Sequence, residues 1–162
     1  MRKEFRHSLL LILSLSLASL VGIEARAQSV QEHVHAMSHG VMPFAMAQTV
    51  HIFRMTESGG VQRVVAKKAD AADQIALIRQ HLQHEAESFQ RGDYSDPATL
   101  HGADMPGIDD LRRGAGQIKV AYAPLPDGAE IVFQTSDIRM LTAIHRWFGA
   151  QLSEHGADAR AE

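Results

Sequence analysis

The chain contains no cysteine, which excludes disulfides, thiolate metal sites, a cysteine nucleophile and a lipidated N-terminal cysteine. It has no excess of positive charge. Lys and Arg number 16 against 19 Asp and Glu, for a formal charge of −3, and this leaves no basic footprint for nucleic acid. No Gly-rich phosphate loop, Gly-x-Ser-x-Gly elbow or Ser-x-x-Lys is present. Seven serines follow residue 27 (Ser29, Ser38, Ser58, Ser88, Ser95, Ser136 and Ser153), none in the setting of a nucleophile. Trp occurs once and Tyr twice, whereas histidine occurs ten times in 162 residues. With 45% hydrophobic and 22% charged residues, the length suits one globular domain.

The N-terminus reads as an address. Arg2, Lys3 and Arg6 precede an apolar run from Ser8 to Ile23, followed by Ala25-Arg26-Ala27, a small-x-small cleavage pattern. This is the layout of a secretory signal peptide over 1–27. A run of 16 residues is short of the roughly 20 that span a bilayer. Cleavage after Ala27 would place the protein in the periplasm with no stable membrane span. It would leave 12 basic and 17 acidic residues, a formal charge of −5, and nine histidines. Histidine titrates near pH 6.5, so protonating all nine would swing the charge to +4.

The mature chain divides by pattern. Residues 28–46 form a His/Met-rich leader with little periodicity, expected to be flexible. A single domain is expected over 47–156, with a frayed tail at 157–162. Thr49–Met55 and Val61–Ala66 read as a β-hairpin around Glu57-Ser58-Gly59-Gly60. A helix then carries the apolar stripe Ala72, Ile75, Ile78, Leu82, Ala86 and Phe89. Residues 91–107 read as a long loop, of the kind more often functional than connecting, and a short helix follows over Ile108–Arg113. Gln117–Ala123 and Glu130–Thr135 read as a second hairpin. Ser136 reads as the cap of a last helix with the stripe Ile138, Leu141, Ile144, Phe148 and Leu152. Residues 60–65 fall over 128–133, and His81 falls near His145. The expected fold is therefore α+β, with two ββα units as a weak internal repeat. They would share one four-stranded antiparallel sheet with two main helices on one face.

Four histidine constellations could carry chemistry. His33, His35, Met37 and His39 alternate in the leader, with Met42 and Met46 beyond. On an extended segment they project to one side about 6.6 Å apart, so sharing an ion needs a bend, which Gly40 permits. Imidazole with thioether favours copper, with zinc as second choice. His81, His84 and Glu85 share one side of a helix at i, i+3 and i+4. His101, Asp104 and Met105 lie within five residues on a Gly/Pro-shaped turn, with Asp93 and Asp96 nearby. His81 and His145 occupy matched places beside the two stripes and could converge. Trp147, off its stripe, is expected to expose an aromatic surface for a ligand or a homodimer.

MPFAMAQTVHIFRMTESGGVQRVVA, DPATLHGADMPG and HRWFGAQLSEHGADA resemble a group of small exported bacterial proteins with a signal peptide, a His/Met-bearing leader and this order of hairpins and helices. The resemblance covers nearly the whole mature chain and implies no reaction. Members of the group sometimes carry the name aspartate carbamoyltransferase. The residues here do not support it, because such enzymes are longer and cytoplasmic. They bind carbamoyl phosphate with a Ser-Thr-Arg-Thr type loop that this chain lacks. The function expected from the residues is periplasmic binding or handling of a transition-metal ion rather than catalysis. One alternative is a small enzyme using His101 and Asp104 as an acid–base pair. Another is an envelope protein whose histidines act only by titrating.

Overall fold

The computed structural model describes residues 30–162, so the export signal expected over 1–27 lies outside the described residues. The architecture is α+β, built on one mixed five-stranded sheet. Two hairpins dominate it. β1 (Thr49–Thr56) pairs antiparallel with β2 (Gly59–Ala66), and β3 (Lys119–Leu125) pairs antiparallel with β4 (Gly128–Gln134). The hairpins join through β2 and β4, also antiparallel. Their register is self-mirrored: Gly60↔Phe133 is answered by Val65↔Gly128, and Val61↔Val132 by Val64↔Ala129. This is the pairing that a local twofold relating 60–65 to 128–133 requires.

Alternation then decides which side chains face the core. Thr49, His51 and Phe53 of β1 are buried on one face, with Val64 and Ala66 of β2 and Ala129, Ile131 and Phe133 of β4. Two long helices cover that face. α2 (Ala72–Gln90) lies mainly over β3 and β4, and α5 (Ile138–His155) over β1 and β2. Between them run two short helices, α3 (Ser95–His101) and α4 (Ile108–Arg113). The buried residues of α2 include Ile75, Ile78, Leu82, Ala86 and Phe89, the expected stripe without Ala72, which is exposed.

α5 corrects its expected face. It buries Met140, Ala143, Ile144, Trp147, Phe148, Gln151 and His155, while Ile138 is 70% exposed. Its cap is Asp137, one residue later than expected, and its carboxylate accepts from the amides of Arg139 at 2.7 Å and Met140 at 3.2 Å. Rotating the face places Trp147 at the centre of the aromatic core rather than at a surface. The Trp147 ring centroid lies 5.4 Å from Phe89, 5.4 Å from Tyr94, 5.7 Å from Phe133 and 5.6 Å from Phe148, mostly edge-on. The aromatic surface on which a dimer was expected is therefore absent.

Three further segments differ from expectation. Residues 30–41, read as a leader without periodicity, form a helix, α1. Val34 and Ser38 are buried on its inner side, and Gln31 lies against Gly156 at the end of α5. The docked face supplies the order that intrinsic propensity does not. The long loop folds in part as α3, whose Pro97 and Leu100 are buried. The tail does not fray over Ala159–Ala161. These residues form β5, parallel to β1 with His51↔Ala159 and Phe53↔Ala161, so the sheet has five strands in the order β3-β4-β2-β1-β5 rather than four antiparallel ones. An unpaired strand edge offers free amides and carbonyls, and the tail takes them up. The Glu162 amide donates to the Phe53 carbonyl at 3.1 Å, and its carboxylate accepts from Arg63 at 2.7 Å. Among the described residues no helix is long and apolar enough to cross a membrane.

Trp147→Ala should lower the stability measured by urea unfolding by about 3–5 kcal/mol, the usual cost of removing a buried large aromatic. A loss below about 1 kcal/mol would show that the aromatic cluster is not the core.

Candidate functional site

Where β1, α2, α3 and the end of α5 meet, the core stops being apolar. β1 carries the alternation Thr49, His51, Phe53 inward, so His51 occupies a position that period two reserves for the core. α5 continues its buried face through Gln151 to His155. α2 places Glu85 on its buried face, one turn after His81. α3 ends on His101, whose side chain is 1% exposed. These residues line one small cavity with Asp96 of α3 and with Val41 and Met42 from the end of α1. Its volume is about 30 Å³, which holds a water or two, or an ion with one water.

Two clusters share this cavity. In the first, one ligand atom each from His81, Glu85 and Asp96 lie within 4.8 Å of one another. Burial pushes the Glu85 carboxyl up to about 9, helped by its hydrogen bond to Asp96 and by the negative charge of Asp96 and Asp93. No ion pair among the described residues involves Glu85 or Asp96. The same desolvation lowers His81 to about 4, against the pull of Asp96, and His84 adds to the lowering. Glu85 in turn adds to burial in raising the Tyr94 hydroxyl.

The second cluster is imidazole alone. His51 stacks on His155 with centroids 4.6 Å apart, and His101 meets His155 edge-on at 4.9 Å. Burial first, then the neighbouring His81 and His101, lower His51 to about 3 against the pull of Asp158. His155 is held well below its ordinary value by burial, then by His51, His101 and His35. Outer partners fix two of the rings. His101 Nδ1 donates to the Glu154 carboxylate at 2.8 Å, and His155 Nε2 donates to the Gln151 amide oxygen at 3.2 Å. Each of these bonds leaves the opposite ring nitrogen to be satisfied elsewhere. Those nitrogens, His101 Nε2 and His155 Nδ1, are buried without a partner, as is His51 Nδ1. Phe44 closes one side, 6.0 Å from His51 and 5.6 Å from His81.

The expected site residues scatter around this centre. His81 and His101 are in it. His84 is exposed on the outer side of α2. His101 bonds to Glu154 rather than to Asp104, which is exposed, and Met105 is packed in the main apolar core. His145 does not meet His81. Its Nε2 lies 2.9 Å from the Gly59 carbonyl and 3.1 Å from that of Thr56, tying α5 to the first hairpin turn. Ten residues of helix, about 15 Å, separate it from His155. In α1 the helix replaces the extended segment on which His33, His35, Met37 and His39 were expected to share one side. His33, Met37 and His39 are exposed, and His35 pairs with Asp158 at 2.7 Å. His51 and His155, absent from the four constellations, also belong to this centre. Their signals were positional: His51 alternates with Phe53, and His155 continues the face of Ile144, Phe148 and Gln151.

Comparison with family models, curated proteins and solved structures finds no match to this chain.

The depressed histidines and the raised Glu85 act in opposite directions on stability. Folded His51 and His81 bind protons only near pH 3 to 4, whereas unfolded histidine binds them near 6.5, so stability falls as pH drops below 6.5. Glu85 is protonated in the fold up to about pH 9 but ionises near 4.5 when unfolded, so its contribution is lost as pH rises through that window. Urea midpoints of the metal-free protein should pass through a maximum near neutral pH, and Glu85→Gln should flatten the alkaline limb. An alkaline limb unchanged in that variant would contradict the assignment.

Proposed function

We propose that the protein is an exported, periplasmic binding protein for a first-row transition-metal ion. The ion is held in the cavity between α2, α3 and β1 by His81, Glu85 and Asp96. The observation that carries this reading is the placement of two abutting carboxylates and an imidazole in a small cavity, with no Lys or Arg ion pair on either carboxylate among the described residues. Two such carboxylates repel unless a proton or a cation lies between them. A divalent cation satisfies both and accepts the imidazole lone pair as well. The donors are nitrogen and oxygen without thiolate, and for any such set Cu(II) binds most tightly among the divalent ions. Copper is therefore the ion proposed, with Zn(II) second. The Ser8–Ile23 run with Ala25-Arg26-Ala27 supports export.

In this reading α1 is a wall of the cavity and its histidines are not ligands. Its end supplies Val41 and Met42 to the cavity lining, and its exposed histidines stand outside. The mirrored register of β2 and β4 supports a duplicated ββα core beneath the site, with β5 as an addition at one edge. Because His101 is bonded to Glu154, an acid–base pair with Asp104 gains no support.

Calorimetric titration of the metal-free protein with Cu(II) and Zn(II) tests this. Tight, saturable binding is expected, and Glu85→Gln combined with Asp96→Asn should remove at least one equivalent. Removing an outer-shell partner alone typically weakens a metal site 10–100-fold, so His81→Asn should weaken that equivalent by at least about 100-fold. His33→Asn with His39→Asn, and His145→Asn, should leave it within about twofold. Binding abolished by the α1 pair and untouched by the Glu85/Asp96 pair would overturn the assignment.

A further inference from the structure

We propose that α1 is a hinged cover of the cavity, pivoting at Met42-Pro43 and latched by His35 on Asp158, so that an occupant enters and leaves beneath Val41 and Met42. What the occupant is rests on the reading above. The cover itself rests on how α1 is held.

The walls of the cavity differ in what fixes them. Val64 lies in β2, which has a strand on either side, and Leu82, Phe89 and Leu100 are buried side chains of α2 and α3. Moving any of these opens the apolar core. α1 is held more lightly. Of its side chains only Val34 and Ser38 are buried, and the Ser38 hydroxyl donates within the helix, to the His35 carbonyl at 2.7 Å. A helix this short has little stability of its own once undocked. Segments with few buried apolar side chains are the ones that open without global unfolding.

Two fixed points define the motion. Just beyond α1, the Phe44 ring is buried at 6.0 Å from His51 and 5.6 Å from His81, and the Ala45 amide donates to the Gln74 side chain at 2.8 Å. Toward the other end, His35 Nε2 meets the Asp158 carboxylate at 2.7 Å with the His35 side chain 41% exposed, and Gln31 lies against Gly156. Between these points Gly40 borders open space, and Pro43 has no amide hydrogen with which to continue a helix. Hinges are commonly a few residues at the end of an element. A pivot at Met42-Pro43 lifts the end of α1 off the cavity and leaves Phe44, His81, Glu85 and Asp96 in place.

The chain has no cysteine, so one introduced thiol reports access. Val64→Cys places it on the cavity wall, and Ile144→Cys places it in the main core, outside the cavity lining. In the metal-free protein the Val64→Cys thiol should react with methyl methanethiosulfonate at least about tenfold faster than the Ile144→Cys thiol. Its rate should also depend less on urea, because lifting one helix exposes less surface than unfolding. Adding His35→Gln should speed labelling at Val64→Cys by about two- to fivefold. His35→Gln with Val34→Ala should speed it by at least about tenfold. Equal rates and equal urea dependence at the two thiols would mean that the cavity opens only with the whole fold, and would overturn the cover. Fast labelling at Val64→Cys that neither α1 variant changes would place the entrance elsewhere and also overturn it. Zn(II) release from the loaded protein into excess chelator should rise with the labelling rate, and release unchanged by variants that speed labelling would overturn α1 as the exit. Absence of tight zinc binding would remove the ion and leave the cover to be decided by the thiol rates.

Discussion

Desolvation of ionisable side chains in a single small cavity is the constraint around which the fold is arranged. Taking an imidazole or a carboxyl out of water is costly in its charged form, and without a partner it is costly in its neutral form as well. The protein meets the first cost by neutralisation, with His51, His81 and His155 deprotonated and Glu85 protonated at neutral pH. It meets the second only in part. Glu154 and Gln151 satisfy one side of two rings. Four imidazoles and two carboxylates beside one cavity depart from ordinary core composition, and departures of this kind gather at functional sites. The same neutral state that makes burial tolerable also leaves lone pairs ready to bind a cation.

The scaffold explains how such a cluster is held. The two hairpins and two long helices build an apolar core around Trp147, and the cavity adjoins it through Phe89, Leu82 and Val64. The cavity forms at the side where β1 is the last strand of the hairpins and where α1, α3, β5 and the end of α5 gather. β5 ties down the edge of β1 beside His51, and α1 closes the cavity through Val41 and Met42. His35 and Lys67 both reach Asp158, at 2.7 and 3.4 Å, and bind α1, the end of β2 and the tail into one corner. Site residues on regular elements are held more rigidly than residues on a loop, and here all six lie on helices or strands.

The sequence made legible whatever rested on strong periodicity. Both hairpins and the stripe of α2 follow from alternation and from 3.6-residue spacing. The face of α5 was ambiguous because apolar residues occupy two adjoining sides. Burial of Trp147 among Phe89, Tyr94 and Phe133, a tertiary fact, decided it. α1 and β5 carry weak local signals. Val30, Val34 and Val41 are spaced for a helix but separated by polar residues, and Ala159-Arg160-Ala161 has no strand character of its own. Both elements form because an existing surface accepts them. Within the site, His81 and His101 stood out by type and neighbours, and Glu85 as the partner of His81. His51 and His155 did not, since one histidine on an apolar face reads equally well as a tolerated core residue. Only the convergence of three elements gives them a shared meaning.

The most direct test of the central claim is anomalous diffraction from crystals of the protein loaded with copper or zinc. The account predicts an anomalous peak inside the cavity, within bonding distance of His81, Glu85 and Asp96. A peak confined to the exposed histidines of α1, with only water in the cavity, would contradict it.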